Sequence, residues 1–92
     1  MSSAFLARNA QRDLRRVPSH VLDKFAVWVD SLERDGLEET RRIRGYRDEP
    51  LQGTRRGQRS IRLNRSYRAI YVIGLDGAVE FARVEEVNKH EY

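Results

Sequence analysis

The sequence predicts an α+β fold, with an N-terminal helical hairpin packed on a small antiparallel sheet in the order β-α-α-β-β-β. One domain spans residues 1–92. Three observations carry this reading. The spacing of apolar residues changes once along the chain, from helical to strand-like. Turn residues punctuate the chain at Pro18, Asp35-Gly36 and Asp76-Gly77. A length of 92 residues leaves room for a single core.

The elements follow in order. Ala4 to Ala7 reads as a brief strand, and Leu6, Ala10, Leu14 and Val17 are spaced for one face of a short helix that Pro18 ends. Ser19 is placed to cap the next helix, whose stripe of Val21, Leu22, Phe25, Val29 and Leu32, with Trp28 at its margin, stops at Asp35-Gly36. Leu37 to Ile43 forms a third, shorter helical stretch. Gly45 to Gly57 reads as loop because it contains Gly45, Pro50, Gly53 and Gly57.

After Gly57 the β pattern begins. Ser60 to Asn64 alternates polar and apolar residues, and Tyr67 to Ile73 is apolar on both faces, as a central strand should be. Asp76-Gly77 is a hairpin turn into Ala78 to Val87. In that last strand Val79, Phe81, Val84 and Val87 break the period of two, which a bulge near Arg83 would restore. The expected sheet is a three-stranded meander with the N-terminal strand at its edge. One face buries the helices and the other carries arginines. A two-residue turn at Arg65-Ser66 would set Arg62 and Arg68 on opposite faces, whereas a three-residue turn or bulge sets them across from each other; a phosphate role shared by the two requires the second, odd register, which is the one expected.

Charge points to a partner. Between Arg41 and Arg68 there are ten arginines and two acidic residues, Asp48 and Glu49, for a local charge of +8; the other 64 residues carry 8 basic and 12 acidic groups, −4. A focused field of one sign attracts a polyanion, so nucleic acid is the first partner to consider. Sixteen of the eighteen basic residues are Arg, whose planar fork matches phosphate oxygens. Genomic codon bias can raise the Arg share but does not cluster it.

The chain has no cysteine, which excludes disulfides and thiolate metal sites. No apolar run approaches the roughly 18 residues of a membrane span, and Met1 to Arg16 lacks the apolar core of a secretory signal. The expectation is a cytoplasmic protein with no membrane partner. No pair of histidines has metal-ligand spacing and no glycine-rich phosphate loop is present, so no metal or cofactor is expected.

Three segments carry a family likeness: Glu49-Pro50-Leu51-Gln52-Gly53; Gly57 through Tyr71, with Ser60-Ile61-Arg62-Leu63 and Tyr67-Arg68 at its centre; and Val84 through Tyr92. In order and spacing the chain resembles the RelE/ParE superfamily of toxins from bacterial toxin–antitoxin modules, with HigB- and YoeB-like mRNA interferases closest. The resemblance implies a RelE-like fold and a ribosome-dependent endoribonuclease that cuts messenger RNA without metal. It also implies partners: the ribosome and mRNA, and a cognate antitoxin of DNA-binding, helix-turn-helix type.

Metal-free RNA cleavage uses the 2′-hydroxyl as nucleophile, and needs a base, an acid for the leaving oxygen, and cations around the phosphorane. His90 can serve either proton-transfer role, and Arg62 and Arg68 suit the cationic one. The YoeB-like pattern implies that Glu49 and His90 share proton transfer. The HigB-like pattern has an Asp where this chain has Asn88, which cannot act as a base. Tyr92 is a candidate for base stacking or for the acid. Arg55, Arg56, Arg59, Arg65 and Lys89 are assigned to RNA binding, through backbone phosphate. Two alternatives remain open: a ParE-like inhibitor of DNA gyrase, and a non-catalytic RNA-binding or regulatory module.

Overall fold

The first helical hairpin exists because its apolar stripe has a sheet to cover. A computed structural model describes residues 2–89. In order these form β1 (Ser3–Leu6), α1 (Arg8–Leu14), α2 (Ser19–Asp35), α3 (Leu37–Arg41), β2 (Glu49–Pro50), β3 (Arg59–Arg62), β4 (Tyr67–Asp76) and β5 (Val79–Lys89), with single 3-10 turns at Arg44–Tyr46 and Gly53–Arg55. In α2, Val21, Phe25, Trp28 and Leu32 are all buried, at the i, i+4, i+7 and i+11 spacing of one helical face. Burying side chains of this size stabilises by about 1.5–3 kcal/mol each. Trp28 lies between Phe25 and Tyr71, with ring centroids at 5.9 and 5.2 Å.

The helix ends differ from the sequence reading. Pro18, not Ser19, is the N-cap of α2, and its carbonyl accepts from Val21 and Leu22 at 3.0 and 3.1 Å. Pro loses no bond there because it has no amide hydrogen to satisfy. Gly36 closes the helix at φ 89°, a conformation that costs other residues a Cβ clash. A buried hydrogen bond of 3.0 Å between Ser31 and Thr40 then ties α3 back onto α2.

The sheet has five strands in the order β1-β5-β4-β3-β2. The loop expected from Gly45 to Gly57 thus contributes an edge strand, β2, whose Glu49 pairs with Ser60 and Pro50 with Arg59. Pro is tolerated because the strand is at the edge. At the other edge β1 runs parallel to β5, with Ser3 beside Phe81 and Leu6 beside Val84. β1 stops short of the end of β5; beyond it the Asp13 carboxylate accepts from the Val87 amide at 3.0 Å. A buried strand amide without a partner would be costly, so α1 completes what β1 leaves undone.

Two turns fix the registers. Asp76 pairs with Val79, so the β4–β5 turn is Gly77-Ala78, with Gly77 at φ 64°. The β5 bulge lies at Glu85 rather than near Arg83: Tyr71 pairs with Val84 and Ile70 with Glu86, leaving Glu85 unopposed. This extra residue lets Val84 and Val87, three apart, both point to the helices, where both are buried. Phe81 falls on the opposite face. Its ring covers Gly74, where a Cβ would strike it, and meets Phe5 edge-on at 5.4 Å.

The two faces of the sheet are therefore distinct. Ile61, Ala69, Tyr71, Ala82, Val84 and Val87 join the helical core. Ser60, Arg62, Arg68, Ile70, Glu86 and Asn88 share the other face by register and stand outside the helical core, although Ser60 and Ile70 are themselves buried there. Among the described residues no helix is long and apolar enough to cross a membrane.

A candidate phosphate groove on the open face

The β3–β4 turn decides which arginines meet. Leu63 and Asn64 both donate to the Tyr67 carbonyl, at 2.9 and 3.3 Å, and the Asn64 side-chain oxygen accepts from the amides of Ser66 and Tyr67 at 2.8 and 2.7 Å. The loop is thus three residues, Asn64-Arg65-Ser66, and Arg62 pairs with Arg68. This is the odd register of the two that the sequence allowed. Residues paired across strands share a face, so both guanidinium groups lie on the open side.

Around this pair is a depression of about 220 Å³ lined by Arg47, Glu49, Ser60, Arg62, Asn64, Arg65, Tyr67 and Arg68. Two rungs that share this face build it, Glu49 with Ser60 and, two residues along, Arg62 with Arg68; the Ile61–Ala69 rung between them faces the core. Four of the candidate residues named from sequence, Glu49, Arg62, Arg65 and Arg68, are brought together here. Arg62 Nε donates to the Asn64 carbonyl at 3.2 Å, which fixes its stem while leaving its terminal nitrogens to the groove. Arg68 Nε is buried with no hydrogen-bond partner among the described residues.

Other candidates lie apart from the depression. Arg55 donates to Glu86 at 3.0 Å on the same open face, and Glu86 also accepts from Asn88 at 2.6 Å. Arg56 is exposed on the loop and does not line the groove. Lys89 is exposed at the end of β5, opposite Tyr67, with its Nζ 6.0 Å from the Tyr67 ring centre. His90 and Tyr92 lie outside the described residues.

Arg59 is placed where sequence reasoning did not put it. Its parity with Ile61 sends it to the helix-bearing face, where Nε meets Asp48 at 2.6 Å; the Asp48 side chain is 1% exposed. The Tyr71 hydroxyl donates to the other Asp48 oxygen. Burial disfavours the Arg59 charge, but the hydrogen bond and attraction of Asp48 outweigh it and raise its pKa. Burial, reinforced by Asp48, also raises the Tyr71 pKa well above the ordinary phenol value. Arg59 is committed to this buried pair and stands away from the groove.

Arg47 is the groove residue that the sequence reading missed. It has φ 45° and ψ 49°, left-handed for a residue with a Cβ, which costs about 1–2 kcal/mol. Nothing in its local sequence signals that conformation. The groove as a whole holds four arginines and one carboxylate, an arrangement suited to binding a phosphodiester and placing a proton acceptor beside it.

No protein-family model matches the chain. No curated protein matches it in sequence. Solved structures do resemble it. The YoeB/ParE toxin from Agrobacterium tumefaciens is 17% identical, with 97% of this chain and 99% of that one covered and a TM-score of 0.71. YafQ from E. coli is 16% identical over 98% and 94% of the two chains, with a TM-score of 0.73. The RelBE2 toxin–antitoxin complex from Mycobacterium tuberculosis is 22% identical over 96% of each chain, with a TM-score of 0.68. With helices packed on one face of a mostly antiparallel five-stranded sheet, the chain has the fold of the RelE/ParE toxins.

Proposed function

We propose that this protein is the toxin of a toxin–antitoxin module and acts as an endoribonuclease on messenger RNA in the ribosome. The observation that carries this reading is the Arg62–Arg68 pair sharing a groove with Glu49 on the side of the sheet away from the helical core. Glu49 takes the proton of the 2′-hydroxyl, whose oxygen bonds to the adjacent phosphorus. The bond to the 5′-oxygen breaks, and His90 gives that oxygen its proton, leaving a 2′,3′-cyclic phosphate and a 5′-hydroxyl. Arg62 and Arg68 stabilise the charge that develops on the phosphorane.

The assignment of His90 rests on the family resemblance. The toxin role is supported by solved neighbours that include a DinJ–YafQ complex from E. coli and a YoeB–YefM complex from Staphylococcus aureus, each pairing two named proteins. A groove with this excess of Arg suits a silencing partner that presents an acidic segment. HigB-like chemistry, with an acid at position 88, does not fit Asn88.

The test is cleavage of messenger RNA on programmed ribosomes with a chelator present, scored by the end groups formed. His90→Ala is expected to slow cleavage by about 10²-fold with ribosome binding retained. Unchanged cleavage in His90→Ala combined with Arg62→Ala would refute the site. Loss of DNA supercoiling before loss of protein synthesis in expressing cells would favour gyrase inhibition instead.

A further inference from the structure

Arg47 sits between two anchored neighbours. Tyr46 is 2% exposed, with its hydroxyl donating to the Lys24 carbonyl at 3.3 Å. On the other side the Asp48 carboxylate is buried on the helix-bearing face against Arg59 and Tyr71. The next residue, Glu49, must already face the groove, because it pairs with Ser60 on the open side. Successive side chains of an extended chain alternate, so Asp48 and Glu49 take opposite faces; Arg47, just before them, lines the groove with Glu49 and holds a left-handed backbone.

Glycine is the residue that this conformation favours. Arginine here adds a fourth cation to a groove that already holds Arg62, Arg65 and Arg68. Both the backbone conformation and the like-charge crowding work against Arg47 in the free protein. Arg47 forms no ion pair with Glu49, though the two line the same depression. A bound anion is what would offset both costs.

We propose that Arg47 is a further phosphate-binding residue of this groove, turned into it by the burial of Asp48. The inference rests on the reading of the groove as an RNA site and adds a contact to it. Arg47 and the Arg62–Arg68 pair come from different elements around one depression, so a single ligand can meet all three. On the RNA reading of the groove that ligand is the backbone of a single strand.

Arg47→Gly separates binding from stability, because it relieves the backbone while removing the cation. The probe is a short oligouridylate carrying 2′-O-methyl groups, which binds but cannot be cut. Expected for Arg47→Gly are a thermal midpoint no lower than the parent's, about tenfold weaker RNA binding, and a salt slope shallower by about 0.7, the value for one lost contact to a single strand. Arg47→Lys should keep most of the affinity. Equal binding and equal salt slope in Arg47→Gly and the parent would overturn the proposal. So would a lower thermal midpoint that accounts for the whole binding loss. If the parent binds this RNA through Arg47 but cuts nothing on ribosomes, the nuclease reading fails and the contact stands; if the parent does not bind it at all, both fail.

Discussion

Arg62 and Arg68 are cross-strand partners on the open face of the sheet, and neither forms an ion pair with another described residue. Like charges directly opposite destabilise a strand pair. The pair therefore detracts slightly from stability and needs an anion to balance it. Arg62→Ala is expected to unfold at the same temperature or higher, while cleavage falls by about 10²–10³-fold, or roughly 3 kcal/mol of lost transition-state stabilisation. Thermal melts followed by circular dichroism, beside single-turnover cleavage on ribosomes, measure the two effects separately.

Glu49 is exposed at the sheet edge and pairs with Ser60, two rungs from the arginine pair and on the same face. Glu49→Gln keeps the shape and removes the proton acceptor. Cleavage should fall by about 10²-fold, with affinity for programmed ribosomes equal or tighter because a negative charge leaves a phosphate groove. An unchanged cleavage rate would transfer the base role to another group.

Asn64 holds the turn that places the arginines. Its Oδ1 accepts two backbone amides, so its Nδ2 is left to face His20 Nε2 at 3.2 Å. Asn64→Asp retains the acceptor and should keep the turn. Asn64→Ala removes it and should cost about 1–3 kcal/mol, the usual range when buried or partly buried amides lose an acceptor. Urea denaturation of the two variants, with the amide resonances of Ser66 and Tyr67, tests this. Equal stability of the two would show that the loop holds itself without the side chain.

The buried Asp48 should show itself at high pH and on mutation. Tyr71 holds its proton more tightly folded than unfolded, where it ionises near its ordinary pKa of about 10. Its contribution is complete below that pH and is lost as pH rises toward the folded value. Stability of the parent should therefore decline above about pH 10, and Tyr71→Phe should decline less. Asp48→Asn leaves the Arg59 charge without its partner and should cost about 3–5 kcal/mol. Urea midpoints across alkaline pH distinguish these cases.

What the sequence revealed depended on whether a signal was local. The α2 stripe, the glycine stops and the β3–β4–β5 meander are periodic patterns and were legible. The odd hairpin register was expected from the shared role of Arg62 and Arg68 and is the one found; what the sequence reading did not show is what holds it, the Asn64 side chain with its backbone-like acceptor. β2 was hidden because two residues carry no period and Pro50 argues against a strand. Arg59 was misread although its parity with Ile61 already placed it on the core face; the missing term was Asp48, eleven residues earlier, as its buried partner. Arg47 had no signal at all, since its backbone is set by what anchors its neighbours.

The strand order has a consequence for how the chain is made. β5 is the last of the described strands to be synthesised, yet it lies inside the sheet between β1 and β4. β1 emerges first and has no strand to pair with until Phe81 to Val84 follow. Such pairing between distant segments is the slow part of folding. During translation the helices and the β3–β4 hairpin can form early, but the sheet cannot close until β5 has left the exit tunnel. Any partner that captures β5 before β1 does would meet the protein before its sheet is complete.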